Sequence, residues 1–506
     1  LAGGKIEIDA STSSQILSAI LMASALAKSE TIVELKGETV SKPFVKMTLD
    51  LMRQFGFDAR QASDKKYLVK NSRANPPSSY EVEPDATAAS YPIALAAAAG
   101  GAVLIKNFPR GGLQGDARFA EVMHKSGLVL CQMVGGDLLA RRNLDMQKYS
   151  GGEFDFNDIS DTFLTLASLV PLFGKPVKIK GIAHTRKQES DRVAAMASEV
   201  GKFSKNVEFD DDSISIFPYP RGEIAKNIPQ KIEIETYKDH RVAMSCAVAA
   251  SADVFGGGRE WAEILDPKCC SKTWPDFFGA LENARKDSMK FKIVAIDGGA
   301  AVGKSSVSKE CSKTLNYMHV DTGAHYRTIA YILLGEKILP EAGEEAVASA
   351  LKNIGISTVR EGNSARSAVC GKKIEDSLIR TDAVNQNVSL FAAMPCAREF
   401  LKGYQRSMAE FAKEKGFAGL VMEGRDIGSV IFPNADAKIF LDADEETRRL
   451  RRAKEGITDA ISKRDQLDKN RKTAPLVRPE GSELIDTSRM TKDEVVARTL
   501  AIIIKA

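Results

Sequence analysis

The chain has 506 residues, 43% hydrophobic and 27% charged, with 71 Lys and Arg against 67 Asp and Glu. That length points to two to four domains. A net charge of +4 argues against a dedicated nucleic-acid binder, while leaving room for local basic clefts that take phosphorylated substrates. No apolar run reaches the length of a membrane span, so the expected partners are small molecules, with no nucleic acid and no membrane.

The first residues, "LAGGKIEID", read as the end of a turn feeding a strand, and the N-terminus looks cut. Alternating runs at Lys5–Asp9, Ser213–Phe217 and Lys231–Glu235 predict half-buried strands. Four segments, from Ser11, Asp85, Asp158 and Tyr237, share one grammar: a cluster of Ser, Thr, Asp or His, then a helix of small and apolar residues. Their spacing of roughly 70–80 residues is longer than common solenoid periods and suits a repeated unit of strands plus two helices. Met47–Phe57 and Arg118–Leu128 predict second, amphipathic helices ending at glycine. Hydroxyl groups at helix starts either cap the helix or, where several starts converge, help bind anions. The seven cysteines show no C-x-x-C spacing, and the adjacent Cys269 and Cys270 read as reduced thiols of a cytoplasmic protein, not a metal site.

Near residues 281–290 the chain turns polar, and an internal "MK" precedes a new apolar strand. Gly298 to Ser305 then fits G-x-x-x-x-G-K-[ST], between a strand at Lys292–Ile296 and a helix. Backbone N–H groups of Gly298, Gly299, Ala300, Ala301, Val302, Gly303 and the helix start through Ser306 would wrap ATP phosphates. Lys304 would neutralise charge there, and Ser305 would ligate Mg²⁺.

In the first half "SSQ" (Ser13–Gln15), "SKPF", "LQGD", "ESDR", "DHR" and "DPKC..KT.PDFF" stand in the order seen in EPSP synthase, and residues 1 to about 283 resemble that enolpyruvyl transferase family. The resemblance implies two globular halves of three repeats each. Six units are then expected and four are legible; the other two, with a first strand and their phosphate-gripping Lys and Arg residues, would lie N-terminal to this chain. It also implies that Ser13, Ser14, Gln15, Ser41 and Gln188 hold shikimate 3-phosphate, with Phe44 standing where the family often has Tyr and Gln188 where it often has Lys. Asp161 would take the proton of the attacking hydroxyl, and Glu189 would protonate the methylene carbon of phosphoenolpyruvate. Arg192, Arg241 and Lys272 would hold phosphoenolpyruvate. By residues alone, Glu189 and Arg192 could equally be an i,i+3 helix ion pair.

From Phe291 onward, "VDTGAHYR", "SLIRTDAV", "VSLFAAMPCAR", "EGRDIGSVIFP" and "KRDQLDKNRKTAPL" resemble bacterial cytidylate kinase. That implies in-line transfer of the ATP γ-phosphoryl group to CMP or dCMP. Arg327, Arg425 and Arg471 would grip the CMP phosphate; Ser389, Arg398 and Asp426 would read cytosine; Arg464 and Asp468 would contact the ribose. Arg448, Arg449, Arg451 and Arg452 belong either to a lid over ATP or to a solvated helix face.

The expected architecture is therefore multidomain α/β and α+β. Residues 1–83 and 84–285 form parts of the repeat-built transferase, 286–290 a short linker, and 291–506 a P-loop kinase with a parallel sheet, an insertion at 338–379 and a lid at 448–470. Rival readings are shikimate kinase for the second half, UDP-N-acetylglucosamine enolpyruvyl transferase for the first, and a first half that serves only as a non-catalytic module.

Overall fold

Strand β1 (Gly4–Asp9) pairs in parallel with β2 (Thr31–Lys36), and β2 continues into an antiparallel pair, β4 (Lys66–Val69) and β3 (Ala59–Ser63). Helix α1 (Ser14–Ser24) links the first two strands, and α2 (Lys42–Gln54) links β2 to β3. The computed structural model describes every residue except Thr12, Glu38, Ser41, Cys370 and 455–475. The described chain divides into two units, Leu1–Leu281 and Glu282–Ala506.

The β-α-β-α-β-β order of β1 to β4 returns in β8 (Gly152–Asp155), α5 (Phe163–Leu169), β9 (Val177–Lys180), α6 (Arg192–Gly201), β10 (Asn206–Phe209) and β11 (Ser213–Phe217). Their sheet order β8-β9-β11-β10 again places one parallel pair beside two antiparallel ones. Between these units lies one with α3 (Ala86–Ala98), β5 (Ala102–Ile105), α4 (Phe119–Ser126), β6 (Val129–Val134) and β7 (Asp137–Arg142), whose sheet order β5-β7-β6 reproduces the last three strands. After the short α7 (Ile224–Asn227), a fourth unit has the first half of the pattern: β12 (Ile232–Ile234), α8 (His240–Ala250), parallel β13 (Ala262–Ile264) and α9 (Phe277–Met289). Four units are thus present among the described residues. The segment expected as a linker at 286–290 is instead largely the last turn of α9.

The small-residue helices pack centrally. Helices α3, α5 and α8 contact one another, and all seven residues of α5 are buried. Ser90 Oγ lies 3.1 Å from Thr165 Oγ1, which lies 3.4 Å from Ser245 Oγ, so one hydroxyl from each helix satisfies the next inside an apolar core. By contrast α1 buries Ser14, Leu17, Leu21 and Ser24 in a separate core with β2 and α2. Its Ile16 and Met22 remain 44% and 53% exposed. Strand β1, expected to be half-buried, is exposed except at Ile8, because it is an edge strand paired only with β2. Helix α2 begins five residues earlier than its apolar periodicity predicts, since Pro43 fits a helix's first turn.

The second unit is built on one sheet of order β16-β17-β15-β19-β14-β20-β21. Its strands are β14 (Lys292–Gly298), β15 (Tyr317–Asp321), β16 (Ile356–Glu361), β17 (Ser364–Val369), β18 (Lys372–Lys373), β19 (Gly419–Gly424), β20 (Ala437–Asp442) and β21 (Glu483–Asp486). The run β15-β19-β14-β20-β21 is all parallel. Its helices are α10 (Lys304–Leu315), α11 (Thr322–Gly335), α12 (Glu344–Leu351), α13 (Asp382–Phe391), α14 (Pro395–Glu414), α15 (Glu445–Lys454) and a C-terminal helix (Lys492–Lys505). Residues 338–379 contain α12 and the antiparallel β16–β17 hairpin, with β18 on β17, at the sheet's edge. The first strand, β14, lies between β19 and β20; the chain leaves it toward β15 on one side and later passes from β19 to β20 on the other, opening a crevice at its carboxyl end. The glycine-rich loop sits there.

Candidate functional sites

In the first unit, three helix starts meet. Asp161 lies in a 3-10 turn before α5, Arg192 opens α6, and Asp239 caps α8 by accepting the Arg241 N–H at 2.9 Å. Arg192 Nη1 donates to Asp161 Oδ1 at 2.9 Å and its Nε donates to Asp239 Oδ2 at 2.8 Å. Arg241 Nη2 reaches the other Asp161 oxygen at 2.9 Å. Gln188 Oε1 also accepts from Arg192, and Ser190 Oγ donates to Asp239 at 3.0 Å. Burial works to raise the Asp239 carboxyl, but Arg192 and the Arg241 N–H hold it below its ordinary value.

Glu189 is not the helix partner of Arg192. It precedes α6, pairs with Lys272 and lies 2.8 Å from His240 Nδ1. Burial and the neighbouring Arg241 lower the His240 pKa. Donor atoms of Glu189, Asp239 and His240 lie within 4.8 Å of one another. Lys272 and Arg192 already neutralise those carboxylates, so the group lacks the net negative charge that would hold a cation.

Ser13 caps α1, accepting from Gln15 N at 3.2 Å, and Ser14 is buried beside it. Ser41 lies outside the described residues, and Phe44 is exposed. Among the described residues no hydrogen bond or ion pair joins Ser13, Ser14 or Gln15 to the Arg192 cluster. The start of α2 does approach it: a Cβ on Gly115 would lie 3.2 Å from Pro43 and 3.1 Å from the Asp158 carbonyl. Next to Gly115, Asp116 is a buried carboxyl that takes the Thr87 hydroxyl, its pKa pushed up to about 6 by burial and the Asp161 charge. Asp239 and Asp116 were not singled out from the sequence, although "DHR" and "LQGD" both contain them.

In the second unit one cleft of about 730 Å³ gathers Ala300, Ala301, Gly303, Lys304, Ser305, Ser306, Arg327, Ser389, Arg398, Arg425 and Asp426. Two backbone features shape its floor. Gly298 has φ 153°, and a Cβ there would meet the Leu441 carbonyl at 2.2 Å; Ala301 holds φ 61°. Lys304 Nζ donates to the carbonyls of Gly298 and Gly299 at 2.9 and 2.6 Å. Burial, then the Arg425 charge, push its pKa down to about 8. Val302 and Ala300 bury their side chains, whereas Ala301 between them is partly exposed.

Ser305 Oγ donates to Glu423 Oε2 at 2.8 Å. Asp321 lines the same cleft. A hydroxyl flanked by carboxylates is an oxygen donor set that fits a hard divalent cation such as Mg²⁺. Arg398 donates to Asp426 Oδ2 at 2.7 Å and to the Ala392 carbonyl at 3.0 Å, so these two base-reading candidates form a nearly buried pair. Arg327 donates to Asn385 Oδ1. Asp297, buried at the end of β14, accepts the Ile427 and Gly428 N–H groups, both at 2.7 Å, and pins the turn after Asp426. Arg451, read as either lid or solvated face, instead donates to Thr487 Oγ1 at 2.9 Å and to its carbonyl at 2.8 Å, beside the Ala301 carbonyl. Arg452 lines the cleft. Arg464, Asp468 and Arg471, and the expected lid beyond Lys454, lie outside the described residues. Among the described residues no helix is long and apolar enough to cross a membrane.

A repeat-built unit with an Arg–carboxylate cluster, followed by a P-loop unit on a largely parallel sheet, defines a chain of two different α/β enzyme folds. The chain belongs to the EPSP synthase (3-phosphoshikimate 1-carboxyvinyltransferase) family, whose model matches residues 1–281, and residues 294–505 match the cytidylate kinase family model. Both families are enzymes, fused here in one polypeptide.

The chain is 43% identical over 294 residues to 3-phosphoshikimate 1-carboxyvinyltransferase of Opitutus terrae, covering 57% of this chain and 62% of that protein. It is 38% identical over 281 residues to the Escherichia coli protein of the same name, covering 55% and 61%. It is also similar to the solved EPSP synthase of Acinetobacter baumannii, at 22% identity and TM-score 0.41 over 56% of this chain and 63% of that one. The chain thus spans about three fifths of the length of the curated relatives it matches.

Proposed function

We propose that the second unit phosphorylates CMP or dCMP from ATP. One observation carries this: the P-loop residues, Arg327, Arg425 and the Arg398–Asp426 pair share a single cleft. ATP phosphates would lie on the loop amides with Lys304 swinging from the loop carbonyls onto them. Arg327 and Arg425 would hold the CMP phosphate in line, and Ser389, Arg398 and Asp426 would face the base. Ser305, with Glu423 behind it, would hold Mg²⁺, which when bound offsets phosphate charge. Arg464, Asp468 and Arg471 would complete the CMP site. The test offers CMP, dCMP, UMP and shikimate separately with ATP. Diphosphate formation from CMP and dCMP is expected; preference for shikimate overturns the reading.

We also propose that the first unit belongs to an enolpyruvyl transfer from phosphoenolpyruvate to shikimate 3-phosphate. The support is the meeting of Arg192, Arg241 and Lys272 with Asp161 and Glu189. Asp161 would accept the hydroxyl proton, and Glu189 would deliver one to the methylene carbon. Ser13, Ser14, Gln15, Ser41 and Gln188 would hold shikimate 3-phosphate. Residues 1–506 by themselves are expected to leave both substrates unchanged, since they span only about three fifths of the length of the matched transferases and four of the six expected units. Measurable product from this chain alone overturns that expectation. Binding of shikimate 3-phosphate rather than a UDP-sugar, measured on a longer protein containing this chain, tests the specificity.

A further inference from the structure

Behind the P-loop hydroxyl runs a buried chain of side chains. On the parallel strands β15 and β19, His319 stands opposite Val421, so Glu423, two residues on, projects from the same face as the His319 neighbour. His319 Nε2 lies 2.7 Å from Glu423 Oε1, and Glu423 Oε2 accepts from Ser305 Oγ at 2.8 Å. Both His319 and Glu423 are 2% exposed. Glu423 is also held by its backbone, between Asp321 on β15 and Ile296 on β14, with Thr322 Oγ1 donating to its carbonyl at 2.8 Å.

We propose that His319 is a positioning residue for phosphoryl transfer. It anchors one oxygen of Glu423 so that the other accepts the Ser305 hydroxyl's hydrogen bond and turns the hydroxyl lone pairs toward the cation that accompanies ATP. A carboxylate only accepts, so the imidazole carries its proton on Nε2 and the Ser305 hydroxyl donates. The oxygen of Ser305 then faces the cleft as an oriented ligand rather than a free rotor. Partners behind a metal ligand commonly change metal affinity or activity 10–100-fold. This inference rests on the kinase reading of the cleft.

The test titrates ATP into the full chain by calorimetry, once with Mg²⁺ and once with EDTA, alongside kcat and the KM for CMP. In His319→Leu the gain in ATP affinity due to Mg²⁺ should shrink by roughly tenfold or more, and kcat should fall similarly. Affinity in EDTA and the KM for CMP should stay within twofold. His319→Gln, which keeps a donor, should restore most of the Mg²⁺ effect. His319→Asn, polar but too short to reach Glu423, and Glu423→Asp, shortened from the other side, should resemble His319→Leu. They also decide the matter should His319→Leu fail to fold. The double variant His319→Asn/Glu423→Asp should be no worse than either single change. An unchanged Mg²⁺ effect in the folded variants overturns the role of His319, as does equal loss of affinity in Mg²⁺ and EDTA. A wild-type chain whose ATP affinity ignores Mg²⁺ overturns the kinase reading itself.

Discussion

Arg192 Nε donates to Asp239 Oδ2 across 2.8 Å with both side chains withdrawn from solvent, although Arg192 opens α6 and Asp239 caps α8. One carboxylate thus ties two repeat units together and orients the guanidinium that also holds Asp161. Asp239→Ala should leave Arg192 short of a buried partner and cost about 3–5 kcal/mol. Asp239→Asn, which keeps the cap, should cost less. Urea unfolding followed by a probe in residues 1–281 checks both.

Gly298 leaves no room for a side chain, because its Cβ would collide with the backbone of Leu441. Gly298→Ala should displace the loop and weaken ATP binding on the order of 100-fold. The melting behaviour of residues 1–281 should not change. Calorimetric titration with ATP and a thermal scan distinguish this from general unfolding.

Lys304 must be charged to meet phosphates, and in the free cleft its pKa stands at about 8. Bound ATP would favour the ammonium, so ATP affinity should fall as pH rises through 8, by up to about tenfold per pH unit. Arg425→Met removes a repelling charge, which should move that fall to higher pH. Titrations between pH 7 and 9.5 check the shift.

His325 is fully buried against Tyr404, and burial pushes its pKa down to about 4. The unfolded chain takes up this proton near pH 6.5, so the second unit should lose stability as pH falls from there through 4, on the order of 3 kcal/mol in full. Asp297 acts oppositely: its pKa is raised to about 6 by burial, so its contribution is present at low pH and is lost as pH rises through 6. His325→Met should therefore remove an acid-sensitive term that wild type retains. Denaturant midpoints of the two proteins, compared at pH 7 and pH 4.5, should differ more at the lower pH.

Reading residues in order was enough for the phosphate loop, since its glycines, Lys304 and Ser305 lie within eight consecutive positions whose backbone is set by near-neighbour sterics. The four polar helix starts were legible for the same reason: capping acts over a few residues. Partner choice was not. Glu189 and Arg192 fit an i,i+3 helix pair on spacing, yet Glu189 stands before the helix and finds Lys272, 83 residues away.

The sequence by itself determined the two families, the glycine loop and the residue types gathered for anion chemistry. Only the tertiary structure decided that Asp239 joins two helix starts, that Arg451 braces the C-terminal segment beside the loop, and that Glu423 reaches Ser305 across 118 positions. The physical reason is range. Backbone conformation answers to adjacent residues, whereas a buried charge takes whichever partner packing brings within 3 Å, and that depends on how distant strands and helices stack.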